Sequence, residues 1–235
     1  MIFQNINQMK LSKSTFSFLK QLAINNDREW FADHKNLYTD AQENAISFAD
    51  SVLEKMNGFD NIETPSGKKA LKRIYRDVRF SKNKAPYKQH FGMMFARATA
   101  ARRGGYYVHI QPGENFVGGG FWGPEKDDLL LVRKHIAQDD SYLREVLESP
   151  KFKTTFGSMR GDQLKSSPKG FDKEHLAIDL LRYKQFLVMK QFTDEEVLSA
   201  DFDQKVSNTF QAMQPFLEVM TEMLTTNLNG ESLID

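Results

Sequence analysis

The sequence contains no cysteine among its 235 residues, and no apolar run is long enough to cross a bilayer. The first absence excludes disulfides, thiol nucleophiles and thiolate metal ligands. The second predicts no transmembrane helix, since such a helix needs about 18 consecutive apolar residues. The N-terminal stretch through Ser14 also lacks the apolar segment of a secretory signal. Together these absences predict a cytoplasmic protein with no membrane partner.

The common motifs of metal, nucleotide and hydrolase sites are also missing. The five histidines show neither H-x-x-x-H nor H-E-x-x-H spacing, so we predict no metal site. The triple glycine at 118–120 lacks the Lys-Ser/Thr of a P-loop and the spacing of a dinucleotide fingerprint. No G-x-S-x-G elbow is present. We therefore predict no cofactor, and these patterns name no reaction.

One segment carries most of the positive charge that is not balanced locally. Residues 68–103 contain twelve lysines and arginines and a single acid, Asp77, whereas the whole chain has a net charge of +1. Arginines recur every three residues from Arg73 to Arg79. This spacing gathers them on one side of a helix but separates them in an extended chain. The asymmetry predicts either an anion-binding surface or charges that the rest of the chain neutralises.

Several side chains of this segment are candidate contacts for a phosphate- or carboxylate-bearing ligand. Arginine suits planar, bidentate recognition of such groups. Pro86 ends any helix, so the two residues that follow it are expected on a fixed turn beside the arginines. Asp77 is predicted to orient a guanidinium, or to act as a base if its pKa is raised. The predicted ligand-binding residues are Arg76, Arg79, Lys84, Tyr87, Lys88, Gly118, Gly119 and Gly120.

The clearest β signal is a hairpin that begins at Tyr106. Pro112-Gly113 suits the two central positions of a type II turn. With a four-residue loop, His109 lies opposite Gly118 and points to the same face as Tyr107. This arrangement predicts an open floor beside an imidazole and a phenol, so Tyr107 and His109 join Asp77 as candidate catalytic groups. The alternative is that the glycines mark a bulge or give the tyrosine rings room to pack.

Helical periodicity appears on both sides of the hairpin. It predicts a long helix from Trp30 to Met56 and a C-terminal stripe of core residues from Phe202 to Leu224, with a kink or restart at Pro215. A short apolar run at 186–189 predicts a buried strand. We therefore predict one α+β domain over residues 1–235. Its central antiparallel sheet is expected to be covered by the long N-terminal helix and the C-terminal helices.

Five motifs, in this order along the chain, resemble those of a known family. They are Asn25-Asn26-Asp27-Arg28-Glu29-Trp30-Phe31, Arg76-Asp77-Val78-Arg79-Phe80-Ser81, Lys84-Ala85-Pro86-Tyr87-Lys88, Gly118-Gly119-Gly120 and Pro168-Lys169-Gly170-Phe171. The chain resembles the bacterial and fungal family called domain of unknown function 2461 over roughly residues 15–228. The resemblance supports a single domain. It implies no activity, and no catalytic residue is carried over from it.

Three functional classes fit these patterns, and none of them predicts an oligomeric state. The favoured one is binding of a small anionic ligand, by a binding protein or an enzyme. The second is nucleic-acid binding, with phosphates on basic residues and bases stacked on the interleaved aromatic residues Tyr75, Phe80, Tyr87 and Phe91. The near-neutral total charge disfavours it, because the acids outside the basic segment repel a long polyanion. The third is a scaffold in which acidic partners neutralise each arginine.

Overall fold

The computed structural model describes residues 10–234 and has an α+β fold, as predicted. Residues 1–9, on which part of the N-terminal prediction rests, and Asp235 lie outside the described residues. The helices within the described range are α1 (Lys13–Ile24), α2 (Arg28–Asp33), α3 (Lys35–Met56), α4 (Gly67–Ala70), α5 (Lys126–Gln138), α6 (Ser141–Glu148), α7 (Pro150–Phe156), α8 (Ile178–Leu181), α9 (Asp194–Val197) and α10 (Phe202–Thr225). The strands are β1 (Phe91–Ala96), β2 (Gly105–Ile110), β3 (Asn115–Phe121) and β4 (Phe186–Phe192).

The strands form one four-stranded antiparallel sheet in the order β1-β2-β3-β4. Alternate residues of each strand point to opposite faces, and here the two faces differ in burial. On β1, Phe91 and Phe95 are fully buried while Met94 is exposed. On β2, the residues that alternate with the buried ones, Tyr107 and His109, are only half-buried. The sheet therefore has one core face and one partly hydrated face, as antiparallel sheets commonly do.

The turn between β2 and β3 is the type II turn that Pro112-Gly113 predicts. The Glu114 N–H donates to the Gln111 carbonyl at 2.8 Å, so two residues stand at the centre of the turn. Gly113 has a φ of 85°, the left-handed value that the second central position of this turn requires.

This turn changes the register of the hairpin from the predicted one. β2 ends at Ile110 and β3 begins at Asn115, so the four loop residues are 111–114, one position earlier than the predicted 112–115. His109 stacks on Phe116, with ring centroids 4.6 Å apart and planes at 9°. The prediction that His109 lies opposite Gly118 is therefore wrong. Both the predicted loop, 112–115, and the observed loop, 111–114, contain the Pro-Gly pair, so composition alone does not fix the register.

The long helix predicted from Trp30 to Met56 is divided at His34. The His34 ring stacks on Trp30, with ring centroids 4.3 Å apart, and its Nδ1 lies 2.8 Å from the Trp30 carbonyl oxygen. His34 caps the end of α2 and the start of α3, with a φ of −111° and a ψ of 28°. The Trp30 carbonyl also accepts the His34 N–H at 3.0 Å, so the interruption lies in the non-helical backbone conformation of His34 itself.

The described residues divide into two compact units. The first comprises 10–95, Tyr107–Val117 and Gln191–Asn208. Its core is aromatic: Phe18 of α1 lies 5.9 Å from Tyr38 and 6.4 Å from Phe91, measured between ring centroids. The N-terminal helix therefore packs on the core face of β1.

The second unit comprises Ala96–Tyr106, Gly118–Lys190 and 209–234. Phe210 of α10 packs on Tyr106 of β2, with ring centroids 4.8 Å apart. The α10 helix continues through Pro215, so the predicted restart of the helix is not observed. The prediction of a single domain stays a prediction.

Candidate functional site

After α4, the basic segment forms no helix before Pro86. Tyr75 and Tyr87 form an antiparallel bridge. The Arg76 N–H donates to the Pro86 carbonyl at 2.9 Å, and the Lys88 N–H donates to the Ile74 carbonyl at 2.7 Å. The chain therefore folds back on itself, and residues 77–85 form a closed loop, here called the basic loop.

The Asn25–Phe31 motif holds the base of this loop. Asn26 makes two hydrogen bonds to the backbone of Tyr87: its Nδ2 donates to the carbonyl at 3.0 Å, and its Oδ1 accepts from the N–H at 3.0 Å. The Tyr87 ring is 6% exposed and stacks on Phe31 at 4.0 Å. Burial raises the pKa of the Tyr87 phenol, with a smaller effect from Tyr75. Tyr87 is thus an anchor of the loop.

Two cations stabilise the basic loop from within by binding carbonyls. Arg76 Nη1 donates to the Ala85 carbonyl at 3.0 Å. Lys84 Nζ donates to the Val78 carbonyl at 3.0 Å and to the Arg79 carbonyl at 3.4 Å. Neither cation has a carboxylate partner within residues 10–234, so both keep their full positive charge.

Arg79 is bound by the acid that precedes it. Its Nε donates to Asp77 Oδ1 at 2.9 Å and its Nη2 donates to Asp77 Oδ2 at 2.6 Å. These side-chain hydrogen bonds, followed by one from the Arg79 backbone, lower the pKa of Asp77. Asp77 therefore orients a guanidinium, the first of its two predicted roles. The second role required a raised pKa, which is the opposite of the shift found here.

Beside the basic loop lies a cleft of about 580 Å³. Three of the resemblance motifs meet in its walls, because the Asn26–Tyr87 bonds bring together stretches that are about sixty residues apart. The lining residues are Asn26, Asp27, Arg28, Val78, Lys84, Ala85 and Pro86.

The charged groups in the wall of this cleft are two cations and one acid. Asp27 caps α2, with its Oδ1 accepting the Trp30 N–H at 2.9 Å. Arg28 is exposed and makes no side-chain hydrogen bond or ion pair within the described part of the chain. Lys84 has three N–H donors and uses two of them on carbonyls. The cleft can thus offer an anion the Arg28 guanidinium and the third Lys84 donor.

Lys88, also predicted as a ligand contact, is turned toward the backbone. Its Nζ donates to the Arg73 carbonyl at 2.9 Å. Burial lowers the pKa of its ammonium, and the charges of Arg73 and Lys72 add to the effect. Lys88 is absent from the described lining of the cleft.

The triple glycine is enclosed by other parts of the protein. A Cβ at Gly118 would lie 2.7 Å from the Val188 carbonyl oxygen, and one at Gly119 would lie 2.5 Å from Met213 Sδ. Gly120 has a φ of 117°, and a Cβ there would overlap the Phe186 carbonyl. These glycines allow close approach of the neighbouring strand and of α10, whereas the alternative predicted from the sequence was a bulge or room for the tyrosine rings.

Tyr107 and His109 belong to a hydrogen-bonded chain on the hydrated face of the sheet. Gln111 Nε2 donates to Glu114 Oε2 at 2.7 Å, which leaves Gln111 Oε1 facing His109 Nε2 at 3.3 Å. Because that amide oxygen can only accept, neutral His109 carries its proton on Nε2. Its Nδ1 then accepts from the Tyr107 hydroxyl at 3.3 Å. The chain fixes the tautomer of the imidazole.

A second imidazole packs against this chain. The rings of His90 and His109 are 4.1 Å apart. Burial, followed by the charges of His109 and Lys88, lowers the pKa of His90 to about 4. Burial also lowers the pKa of His109 and raises that of Tyr107. A Cβ at Gly92 would lie 2.5 Å from the Tyr107 hydroxyl, so Gly92 provides the room for that ring.

The residues that sequence reasoning missed are Asn26 and Arg28. Both stand in the Asn25–Phe31 motif, which helical periodicity explains only as the cap of a helix. The signal that could have found them is the resemblance itself, because that motif and the Lys84–Lys88 motif occur together in it. Within residues 10–234, no cluster of three or more histidines and acids could hold a metal ion. None of the helices in that range has the length and apolar character needed to span a membrane.

The fold and the cleft define an α+β protein in which a tethered basic loop forms one wall of a concave surface. The chain belongs to the family of conserved hypothetical proteins DUF2461, whose sequence profile matches residues 14–218. This match covers most of the chain and confirms the resemblance. No curated protein and no solved structure matches the chain.

Proposed function

We propose that this protein binds a small phosphate- or carboxylate-bearing anion in the cleft beside the basic loop. The observation that carries the proposal is the meeting of Arg28 and Lys84 in one concave wall. Their donors are not consumed by carboxylates of the described chain, and a concave site suits a small ligand. Asn26 and Arg76 act in this proposal as positioning residues, because they close the loop on which Lys84 stands.

The other predicted contacts have different standing in the proposal. Arg79 is held by Asp77 and would reach an anion only through Nη1. Tyr87 and Lys88 support the loop from inside. Proton transfer by Asp77, Tyr107 or His109 stays a prediction, and we assign no reaction. The cytoplasmic location is likewise proposed, on the cysteine-free sequence alone.

The scaffold alternative accounts for part of the basic segment. Arg97, whose side chain is fully buried, pairs with Glu218, and Arg103 pairs with Asp128. The carbonyl-bound cations Arg76 and Lys84 differ from these, since neither pairs with an acid within residues 10–234. Binding of a long nucleic acid is less favoured, because the chain has a net charge of +1 and the acids outside the basic segment repel a long polyanion.

Thermal-shift measurements with pyrophosphate and citrate test the proposal. We expect either anion to raise the melting temperature of the wild-type protein, because a ligand that binds only the folded state stabilises it. Lys84→Met and Arg28→Met should each remove most of this shift. Lys82→Met is the matched control, since Lys82 is an exposed cation of the same loop that does not line the described cleft. An unchanged shift in the Lys84→Met and Arg28→Met variants would contradict the proposal.

A further inference from the structure

One aromatic side chain of the basic loop is unusually exposed. Phe80 is 96% exposed, and among residues 10–234 no other phenylalanine belongs to the exposed side chains. A phenylalanine in water forgoes the burial that stabilises most others. An isolated exposed apolar residue needs no functional explanation. Phe80 differs from such a residue in how the loop holds it and in the cation that lies beside it.

The residues on both sides of Phe80 are fixed by hydrogen bonds. Arg79 is bound through its side chain and its N–H to Asp77. Ser81 donates its N–H to the Val78 carbonyl at 3.3 Å, and its Oγ accepts from Arg76 at 3.4 Å. The ring is therefore held outward by a loop whose conformation is already set, which lowers the conformational cost of using it as a binding surface.

Lys84, one of the two cations in the wall of the cleft, lies close to the Phe80 ring. Lys84 Nζ contacts the carbonyl of Arg79, the residue directly before Phe80. Only one peptide unit and one side chain separate that carbonyl from the ring, so standard bond lengths put the ring centre within about 10 Å of the ammonium. Val78, on the other side of Arg79, lines the cleft. An anion held by Lys84 is thus within reach of a flat apolar surface.

We propose that the ligand of the cleft is a nucleotide, with its phosphate on Lys84 and Arg28 and its base stacked on Phe80. This inference rests on the proposed function and adds the class of ligand. A nucleotide carries an anionic group at one end and a planar ring at the other, separated by one sugar. Aromatic side chains stack on bases of every kind, since each base has a π face. The Arg79 guanidinium lies over the Phe80 ring, 5.9 Å from its centre, and adds a positive charge on one face of this platform.

The basic loop is better suited to binding one nucleotide base than to binding single-stranded nucleic acid or a membrane surface. Single-stranded nucleic acid is bound on successive aromatic platforms along a basic groove, whereas residues 77–85 offer a single aromatic ring. A membrane-surface segment needs an extended apolar face, but the neighbours of Phe80 at 81–84 are polar or charged.

Isothermal titration calorimetry with adenosine diphosphate and pyrophosphate tests this inference on the full chain. Phe80→Ala is expected to weaken the binding of adenosine diphosphate at least about tenfold. The same substitution should leave the binding of pyrophosphate unchanged. Phe80→Trp, which keeps a stacking surface, is expected to retain nucleotide affinity. Lys84→Met should weaken both ligands. Because Phe80 buries almost no surface, these substitutions are not expected to affect folding, which melting curves of the variants check.

The outcomes separate the two proposals. If Phe80→Ala leaves nucleotide affinity unchanged while Lys84→Met lowers it, the nucleotide inference is overturned and the anion site stands. If Lys84→Met changes neither affinity, or if the wild-type protein binds neither ligand, the anion site itself is overturned. If a twelve-base oligothymidylate binds more than tenfold tighter than the nucleotide, the site takes a strand and the inference of a single nucleotide fails.

Discussion

Gly120 occupies a position where backbone conformation and space both exclude a side chain. Its φ of 117° is unfavourable for residues with a Cβ, and a Cβ there would overlap the Phe186 carbonyl of β4. Gly119 is constrained by space alone, because a Cβ there would lie 2.5 Å from Met213 Sδ. At the scale of single residues, then, this glycine run is explained by strand and helix packing, without a ligand.

Gly120→Ala is expected to lower the free energy of unfolding by roughly 3 kcal/mol, because the backbone must move to relieve both strain and overlap. Gly123→Ala is the matched control. No described atom lies within 4 Å of a Cβ at Gly123, and its φ is outside the left-handed region. Urea unfolding of both variants measures the difference. Equal stabilities of the two variants would contradict this account of the glycine run.

Asn26 is the residue on which the shape of the cleft depends. Its amide pairs with both backbone groups of Tyr87 in the way a neighbouring strand would. Asn26→Ala is expected to cost about 2 kcal/mol in unfolding free energy, since two partly buried backbone groups lose their partners. Asn26→Asp keeps the acceptor and loses the donor, so an intermediate cost is expected in urea unfolding. A cost for Asn26→Ala below about 0.5 kcal/mol would show that the tether is unimportant.

At the scale of elements, the pairing of β1 with β2 brings together the imidazoles of His90, directly before β1, and His109 of β2. The pKa of His90 is lowered to about 4 in the folded protein, whereas an unfolded histidine has a pKa of about 6.5. Between these values the unfolded chain binds more protons than the folded one. The free energy of unfolding therefore falls as the pH drops below about 6.5, and this loss is complete only below the folded pKa.

His90→Gln is expected to reduce that loss. Between pH 7.5 and pH 5.0, urea unfolding of this variant should show a decrease in stability about 1 kcal/mol smaller than that of the wild-type protein. This value is less than the full shift implies, because solvent reaches both rings. A His90→Gln curve parallel to the wild-type curve would contradict the assignment of this pH dependence to the imidazole pair.

The elements that the sequence predicts well are those with a strong local period. The apolar stripe of α10 and the Pro-Gly turn of the hairpin are set by residues within a few positions of one another, so pattern alone finds them. The interruption at His34 and the register of the hairpin were not predicted. The first depends on the backbone conformation of a single residue, and the second on where a four-residue loop begins relative to Pro112-Gly113.

The candidate site was predictable only in part, for a similar reason. Clustered charge pointed to the basic loop and to Lys84, but charge has no period, so it could not separate cations bound to carbonyls from Arg79, which is bound to Asp77. Arg28 enters the site through Asn26, whose contact with Tyr87 joins residues that are distant in sequence. Such a contact leaves no trace in composition or spacing.

At the scale of the whole molecule, the cations of the basic segment 68–103 differ in the groups that bind them. The arginines at 97 and 103 pair with acids of the second unit and are part of its internal structure. The cations of the basic loop belong to the first unit and are bound mainly by carbonyls. A carbonyl orients a cation without neutralising it, whereas a carboxylate does both. The basic loop therefore keeps cations beside the cleft, and other exposed cations of the segment, Lys68, Lys69, Lys72 and Arg73, lie outside the loop.

A crystal structure of the protein grown with pyrophosphate tests the central claim most directly. The account predicts an ordered anion in the cleft, within hydrogen-bond distance of Lys84 Nζ and of the Arg28 guanidinium, with the Asn26–Tyr87 bonds intact. An empty cleft at saturating pyrophosphate, or an anion ordered only on other cations, would contradict it.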